Sequence, residues 1–403
     1  MIQRHNMSSA MRIRYPTRFV LMLVALSALM GAEDRQLRHK RRVRAPSGPV
    51  VALVNGTLID GTGADPVADA VVLIQSGRIA AVGPSAAVAL PPNADRIDLG
   101  GGFILPGFIN AHVHNALRKD HLQTWASEGV TTVRDVGAAE PYVTVFRLRD
   151  TYQSDPLCAR LVAAGPLVTV PGGYPLIPNQ FPAMSVLSAE DARAKISQLL
   201  DAGADFIKIT LEPGADWPVL TLEQAEAIVE TAHVRPVPVT VHATQTAMYR
   251  RALDAGVDDI CHSASNRLSD DMIAEMVQAG VCMVPTLTAQ KKAGETVSNL
   301  RRFVAAGGKV ALGNDGGYLA GLEIGMPITE LEAMREAGMS PMQVILAATK
   351  TAAEICRLDR DLGTLQPGKR ADILVVDQNP LENLRALLNV TLVMHSGVVI
   401  FLR

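Results

Sequence analysis

Two histidines one residue apart, His112 and His114 in Asn110-Ala111-His112-Val113-His114, are residues whose type and spacing could do chemistry. On an extended strand, side chains two apart share a face, so both imidazoles can hold one ion while Val113 packs the other way. Further candidates end apolar, β-prone runs. They are Lys208 in Phe206-Ile207-Lys208-Ile209-Thr210, His242 in Val239-Thr240-Val241-His242, His262 in Asp259-Ile260-Cys261-His262 and Asp315 in Gly313-Asn314-Asp315-Gly316. Each alone has an ordinary reading: core histidines, a turn aspartate, a surface lysine. Gathered in one mouth they make four neutral imidazoles and one hard carboxylate, a donor set for zinc or a similar divalent ion. Lys208 faces inward if Ile207 and Ile209 face outward. An ammonium there needs its charge paired or chemically removed.

Such residues can meet only if the elements between them alternate. Ile109 to His114, Thr131 to Asp135, Arg160 to Ala164, Phe206 to Thr210, Val239 to His242, Asp259 to His262, Val281 to Pro285 and Lys309 to Asp315 read as strands. Helical stretches such as Glu190 to Leu200 and Leu222 to Ala232 separate most of them. Eight units over about 250 residues is the size of a (β/α)8 TIM-like barrel, an α/β fold whose active site forms at the C-terminal ends of its strands. The candidate residues fall at those ends, at separations that suit whole numbers of units. An open doubly wound sheet would normally bring a glycine-rich phosphate turn, which the sequence lacks.

Short strands and glycine turns occupy both ends of the chain: Val51 to Ile59, Ala70 to Ile74, Arg78 to Val82 and Arg96 to Leu99 before the barrel, then Ala371 to Val376, Val390 to Met394 and Val398 to Phe401 after it. They pair into one small β-sandwich domain made from both termini. The expected divisions are a signal-like or disordered segment over 1–47, sandwich parts over 48–104 and 362–403, and the barrel over 105–361.

With 403 residues, 48% hydrophobic content and a net charge of -2, the chain is globular, with no sign of a nucleic-acid partner. Cys158, Cys261, Cys282 and Cys356 lie far apart with no Cys-x-x-Cys and are expected as buried free thiols. Arg12, Arg14 and Arg18 precede an apolar run from Phe19 to Met30, followed by Gly31 and Ala32, the layout of a secretory signal peptide. That run is short for a membrane span, and Arg35, Arg38, Lys40, Arg41, Arg42 and Arg44 behind it resist translocation. Export to the periplasm or beyond, membrane anchoring, and a cytoplasmic enzyme starting at Met7 or Met11 all stay open. His121 and His233 fall inside helices and are read as structural or solvent-facing; His5, His39 and His395 carry no pattern.

From about Val50 to the C-terminus the chain resembles the amidohydrolase superfamily, in particular its imidazolonepropionase and Xaa-Pro or Xaa-Arg dipeptidase-like branch. The resemblance rests on Ser76-Gly77-Arg78-Ile79-Ala80-Ala81-Val82-Gly83, Leu105-Pro106-Gly107-Phe108-Ile109-Asn110-Ala111-His112-Val113-His114 and Glu128-Gly129-Val130-Thr131-Thr132-Val133-Arg134-Asp135. It continues in Gly203-Ala204-Asp205-Phe206-Ile207-Lys208-Ile209, Val241-His242-Ala243 and Leu365-Gln366-Pro367-Gly368-Lys369-Arg370-Ala371-Asp372. It implies a binuclear hydrolase, with zinc as the metal, cleaving an amide or peptide-like C–N bond in a dipeptide-like, N-acyl amino acid or cyclic amide substrate. His112, His114 and Asp315 would bind the more buried ion, and His242 and His262 the more exposed one. Lys208, carboxylated to a carbamate, would bridge the two. A metal-bridging hydroxide would attack the carbonyl, with Asp315 shuttling the proton. The same reading expects a small-molecule amide partner and a homo-oligomer.

Three departures from that branch concern substrate or the vicinity of a ligand. Ile260-Cys261-His262 stands where Ile-Glu-His is usual, with Cys261 expected on the strand face opposite the metal. Pro171-Gly172-Gly173-Tyr174-Pro175 replaces a Gly-Gly-His loop, making Tyr174 a candidate substrate contact. Ala243-Thr244 lacks the aromatic residue that several dipeptidases carry after the histidine. Competing readings are a mononuclear imidazolonepropionase- or deaminase-like hydrolase with Lys208 unmodified, and a lactonase or phosphotriesterase at the same two-metal site. The full ligand set argues against a non-catalytic relative.

Overall fold

A computed structural model describes residues 50–177 and 181–403; the signal-like segment over 1–47, with His5 and His39, lies outside the described residues. The chain opens with β1 (Val50–Leu58), β2 (Val67–Gln75), β3 (Arg78–Pro84), β4 (Asp95–Asp98) and β5 (Phe103–Pro106). β2 and β3 form the expected antiparallel hairpin. Ser76 and Gly77 both take positive φ at its turn, 51° and 77°, as a right-twisted two-residue hairpin requires.

The barrel strands follow. They are β6 (Phe108–Val113), β7 (Val130–Asp135), β8 (Arg160–Ala163), β9 (Leu167–Thr169), β10 (Ala183–Ser185), β11 (Ile207–Leu211), β12 (Val239–Ala243), β13 (Asp259–Cys261) and β14 (Cys282–Val284). One sheet runs β6-β7-β8 and another β10-β9-β11-β12-β13-β14. Every pairing within these two sheets is parallel, so each connection must cross over and most do so through a helix. The third barrel strand is thus divided between β8 and β9.

The stretch from Lys309 to Asp315, expected as a regular strand, instead pairs through isolated bridges, Val310 to Met283 on one side and Gly316 to Val113 on the other. Close packing accounts for this. A Cβ at Gly313 would fall 2.5 Å from the His112 Cβ, and one at Gly317, where φ is 102°, would fall 2.0 Å from the His114 carbonyl oxygen.

β15 (Ile373–Val376), β16 (Val390–His395) and β17 (Val398–Leu402) complete the fold. β15 pairs antiparallel with β5, which unites both ends of the chain in an eight-stranded sheet. Its core holds Leu53, Val72, Ile74 and Ile104 from the first part, and Ile373, Val375, Leu392 and Met394 from the second. A TIM-like barrel with a small sandwich domain is therefore the architecture.

Helix starts follow local chemistry. Ser188 accepts from the Asp191 N–H to begin Ala189–Asp201, and Thr221 with Gln224 forms a capping box at Leu222–His233. Ala192, Ile196 and Leu199 then bury one face of the first helix. Cys158, Cys261, Cys282 and Cys356 are free and buried, as expected. His233 faces Asp258 at 2.9 Å on the surface, His121 lies edge-on to Trp125, and the buried His395 faces the Pro156 carbonyl. Among the described residues no helix is long and apolar enough to cross a membrane.

Beneath the mouth the barrel is filled by a paired charge. Arg134, fully buried, donates to the Ala111 carbonyl at 2.7 Å and to both oxygens of Asp259 at 3.0 and 2.8 Å. Thr240 adds a donor to the same carboxylate at 2.5 Å. Glu330, in the helix Ile328–Glu336, fastens the loop after β14 by accepting from the Leu287 and Thr288 N–H groups at 2.8 Å each and from the Thr288 hydroxyl. Burial outweighs those donors and pushes the Glu330 carboxyl up to about 7.

Because the folded pKa lies above the ordinary value of 4.5, folding favours the protonated acid. Its contribution is full below about pH 4.5 and is lost as pH rises through about 7. Urea unfolding of wild type and Glu330→Gln from pH 4.5 to 8 should show wild type losing about 3 kcal/mol relative to the variant. A difference independent of pH would contradict this account.

Candidate metal centre

The seam between β6 and the Lys309–Asp315 stretch sets the centre. Asp315 turns with φ 60°, its N–H donating to the His112 carbonyl at 2.9 Å. One carboxylate oxygen, Oδ1, is thereby placed 3.0 Å from His112 Nε2 and 3.2 Å from His114 Nε2. A buried amide pair supports the turn: Asn110 donates to Asn314 Oδ1 at 2.8 Å, and that oxygen also accepts from the Gly316 N–H.

From the other sheet come Lys208 on β11, His242 on β12 and His262 just past β13. All six candidate ligands and Tyr174 line one cavity at the strand ends. Ligand atoms of His112, His262 and Asp315 lie within 4.8 Å of one another, and the His242 and His262 rings are 4.3 Å apart.

Second contacts leave a particular nitrogen of each outer imidazole for an ion. His114 Nδ1 faces the Gly137 carbonyl at 3.0 Å, and His262 Nδ1 faces the Thr286 hydroxyl at 2.7 Å. Both therefore leave Nε2. His242 Nε2 faces Glu212 Oε2 at 3.4 Å, leaving Nδ1. Lys208 Nζ is buried and, among the described residues, has no hydrogen-bond partner.

The electrostatics follow from this crowding. Burial raises the Asp315 carboxyl, but the charge and hydrogen bonds of His112 and His114 win, holding it well below the usual carboxylate range. Burial lowers His262 strongly, with His242 and His112 adding to the effect. His242 is also lowered, by burial and by Lys208, against its hydrogen bond to Glu212. Burial disfavours charge on His114 too, yet Asp315 outweighs it and the pKa is raised. Burial, with Asp315 and Glu212 adding, pushes Tyr174 up to about 12. Neutral imidazoles beside an ionised carboxylate are the protonation states a divalent ion needs.

His262 reaches the mouth by a route that strand alternation does not supply. Asp259 and Cys261 point into the barrel, since Asp259 pairs with Arg134 and Cys261 Sγ lies 3.1 Å from Thr240 Oγ1. Regular alternation would send His262 outward. β13 instead ends at Cys261, and His262 takes φ 73°, which swings its ring into the mouth. The expectation that Cys261 lies on the opposite strand face is therefore incorrect. Its thiol sits under the site, where burial is outweighed by Lys208 and His112 and the pKa is lowered to about 6.

Sequence reasoning also missed Glu212 and Thr286. Lys208, Thr210 and Glu212 are spaced by two, so strand periodicity alone would have put Glu212 on the Lys208 face. Tyr174 stacks on His242, with ring centroids 4.7 Å apart, and the Thr210 hydroxyl donates to its carbonyl at 2.7 Å.

Comparison with known proteins agrees with this geometry. Residues 103–400 match the model of the amidohydrolase family. Imidazolonepropionase from Salinispora arenicola is 27% identical over 366 residues, covering 82% of this chain and 92% of that protein. A 5-methylthioadenosine/S-adenosylhomocysteine deaminase from Symbiobacterium thermophilum is 25% identical over 379 residues, covering 81% and 85%. Among solved structures, an Xaa-Pro dipeptidase with methionine in its active site superposes with a TM-score of 0.78 at 26% identity, covering 87% of this chain and 100% of that one.

Proposed function

The chain belongs to the amidohydrolase family, metal-dependent hydrolases acting on C–N bonds, and on that premise we propose that its centre is binuclear and bridged by a carbamate on Lys208. The observation that carries this is Lys208 Nζ, buried without a partner in a cavity shared with four imidazoles and Asp315. Reaction of the neutral amine with carbon dioxide forms an N–C bond, releases one proton and replaces a cation by an anionic oxygen donor. The burial cost of an unpaired ammonium is thereby removed.

His112, His114 and Asp315 would hold the more buried ion, and His242 and His262 the more exposed one, with the Lys208 carbamate between them. Zinc suits this donor set best. Such ions supply an activated water at neutral pH and polarise the substrate carbonyl. Asp315 accepts the proton released by the water and returns it to the departing amine, a role suited to a carboxylate held in its ionised form. The substrate is a small amide of dipeptide-like, N-acyl amino acid or cyclic amide type. The catalytic body is the barrel over 105–361 with sandwich parts over 48–104 and 362–403.

A second reading is a mononuclear imidazolonepropionase- or deaminase-like hydrolase. The imidazolonepropionase and deaminase relatives favour it, as does the trio of His112, His262 and Asp315, close enough to serve one ion.

Lys208→Ala should lose bound metal and activity, with partial rescue by short carboxylic acids plus metal. Full metal content with unchanged turnover would exclude the bridge. Asp315→Asn keeps the shape and one ligating oxygen but cannot carry a proton, so turnover should fall about 100- to 10,000-fold. A metal-replete variant within about threefold of wild type, under 1 kcal/mol of barrier, would rule out the shuttle.

A further inference from the structure

Beyond the ligands, the cavity is lined by Leu167, Tyr174, Pro175, Phe181 and Tyr318. Tyr174 lies between two rings, stacked on His242 and, at 6.0 Å and 21°, near Trp217. Phe181 meets Tyr318 edge-on at 5.7 Å. In the same two loops Ile177, Tyr318 and Leu319 are exposed, at 48%, 55% and 45%, so the entrance is apolar as well as the wall. Rings and aliphatic groups arranged this way recognise a flat apolar group through burial and offset stacking.

The charge around the mouth is one-sided. Glu212, with its side chain 13% exposed, faces His242, accepts from the Thr244 hydroxyl and accepts from the Gly214 N–H at 3.4 Å. Thr244 is the residue that replaces an aromatic group after His242-Ala243, and its hydroxyl fixes this carboxylate. Among the described residues lining the cavity, Lys208 is the only lysine or arginine, and Pro178, Asn179 and Gln180 in the Tyr174 loop carry no charge. A substrate carboxylate would therefore meet Asp315 and Glu212 with no guanidinium to bind it. Recognition of a carboxylate normally uses such a fork.

We propose that this site selects amides that lack a free carboxylate beside the scissile bond and carry an aromatic or similarly flat apolar group, with Glu212 the residue that rejects the carboxylate. The inference rests on the amide-hydrolase reading above and narrows it toward neutral and cyclic amides.

The test uses the full metal-loaded chain with N-acetylphenylalaninamide, N-acetylphenylalanine and N-acetylalaninamide, with affinity read by calorimetry and hydrolysis followed separately. The aromatic amide should bind at least tenfold more tightly than either analogue. Glu212→Gln should narrow the amide-to-acid ratio at least threefold at unchanged metal content, and Trp217→Ala should narrow the phenyl-to-methyl ratio. Equal affinity, tighter binding of the acid, binding of none of the three, or a ratio unmoved in metal-replete Glu212→Gln would overturn the proposal. Loss of metal in Glu212→Gln would make it a positioning residue for His242 and overturn its assignment to selectivity. The expected binding preference with no hydrolysis of any amide would instead sink the amide-hydrolase reading.

Discussion

A basic nitrogen inside a dry barrel has to be neutralised, and the chain handles two such nitrogens in opposite ways. Arg134 is buried with its guanidinium shared between the Ala111 carbonyl and both oxygens of Asp259, the bidentate arrangement that offsets desolvation. Lys208, on the floor of the mouth above it, has no such partner among the described residues. What surrounds it is imidazole, and burial keeps His242 and His262 from charging. Partner groups for an unmodified ammonium are missing there, while donors for metal ions are abundant. Conversion of the amine to a carbamate reconciles the two facts. It would also remove the positive charge that lowers the Cys261 thiol beneath it.

Positioning of the donors depends on backbone that regular strands do not provide. His262, Asp315, Asn115 and Thr286 all take positive φ, at 73°, 60°, 55° and 47°. Each lies at or next to the end of a barrel strand. Conformations this uncommon for residues with a side chain persist only where the surroundings hold them. Here the holding groups can be named: the Asp315 N–H to His112, the Asn110–Asn314 bond, the His262 N–H to the Val284 carbonyl and the Tyr249 hydroxyl to the His262 carbonyl. Glu330 anchors the loop that presents Thr286 to His262.

The strands and their polar ends were readable because alternation and apolar runs are local signals. Ile207 and Ile209 pack outward in the main core while Lys208 lines the cavity, as a period of two requires. The same rule failed at Cys261 and His262, where one left-handed residue reverses the faces. Glu212 lay within reach of that rule. The aromatic wall did not, because Tyr174 and Trp217 belong to different loops and Phe181 and Tyr318 are far apart in sequence; tertiary closure of the barrel brings each pair together. The sandwich was legible as two sets of short strands, although its joining pair, β5 with β15, spans most of the chain.

Native mass spectrometry of the metal-loaded chain tests the central claim most directly, since bridging ions and carbamate change the mass together. The account predicts two divalent ions and the added mass of one bound carbon dioxide in the wild type, with the carbon dioxide increment absent from Lys208→Arg. A wild-type holoprotein carrying a single ion, or two ions without the carbon dioxide increment, would contradict it.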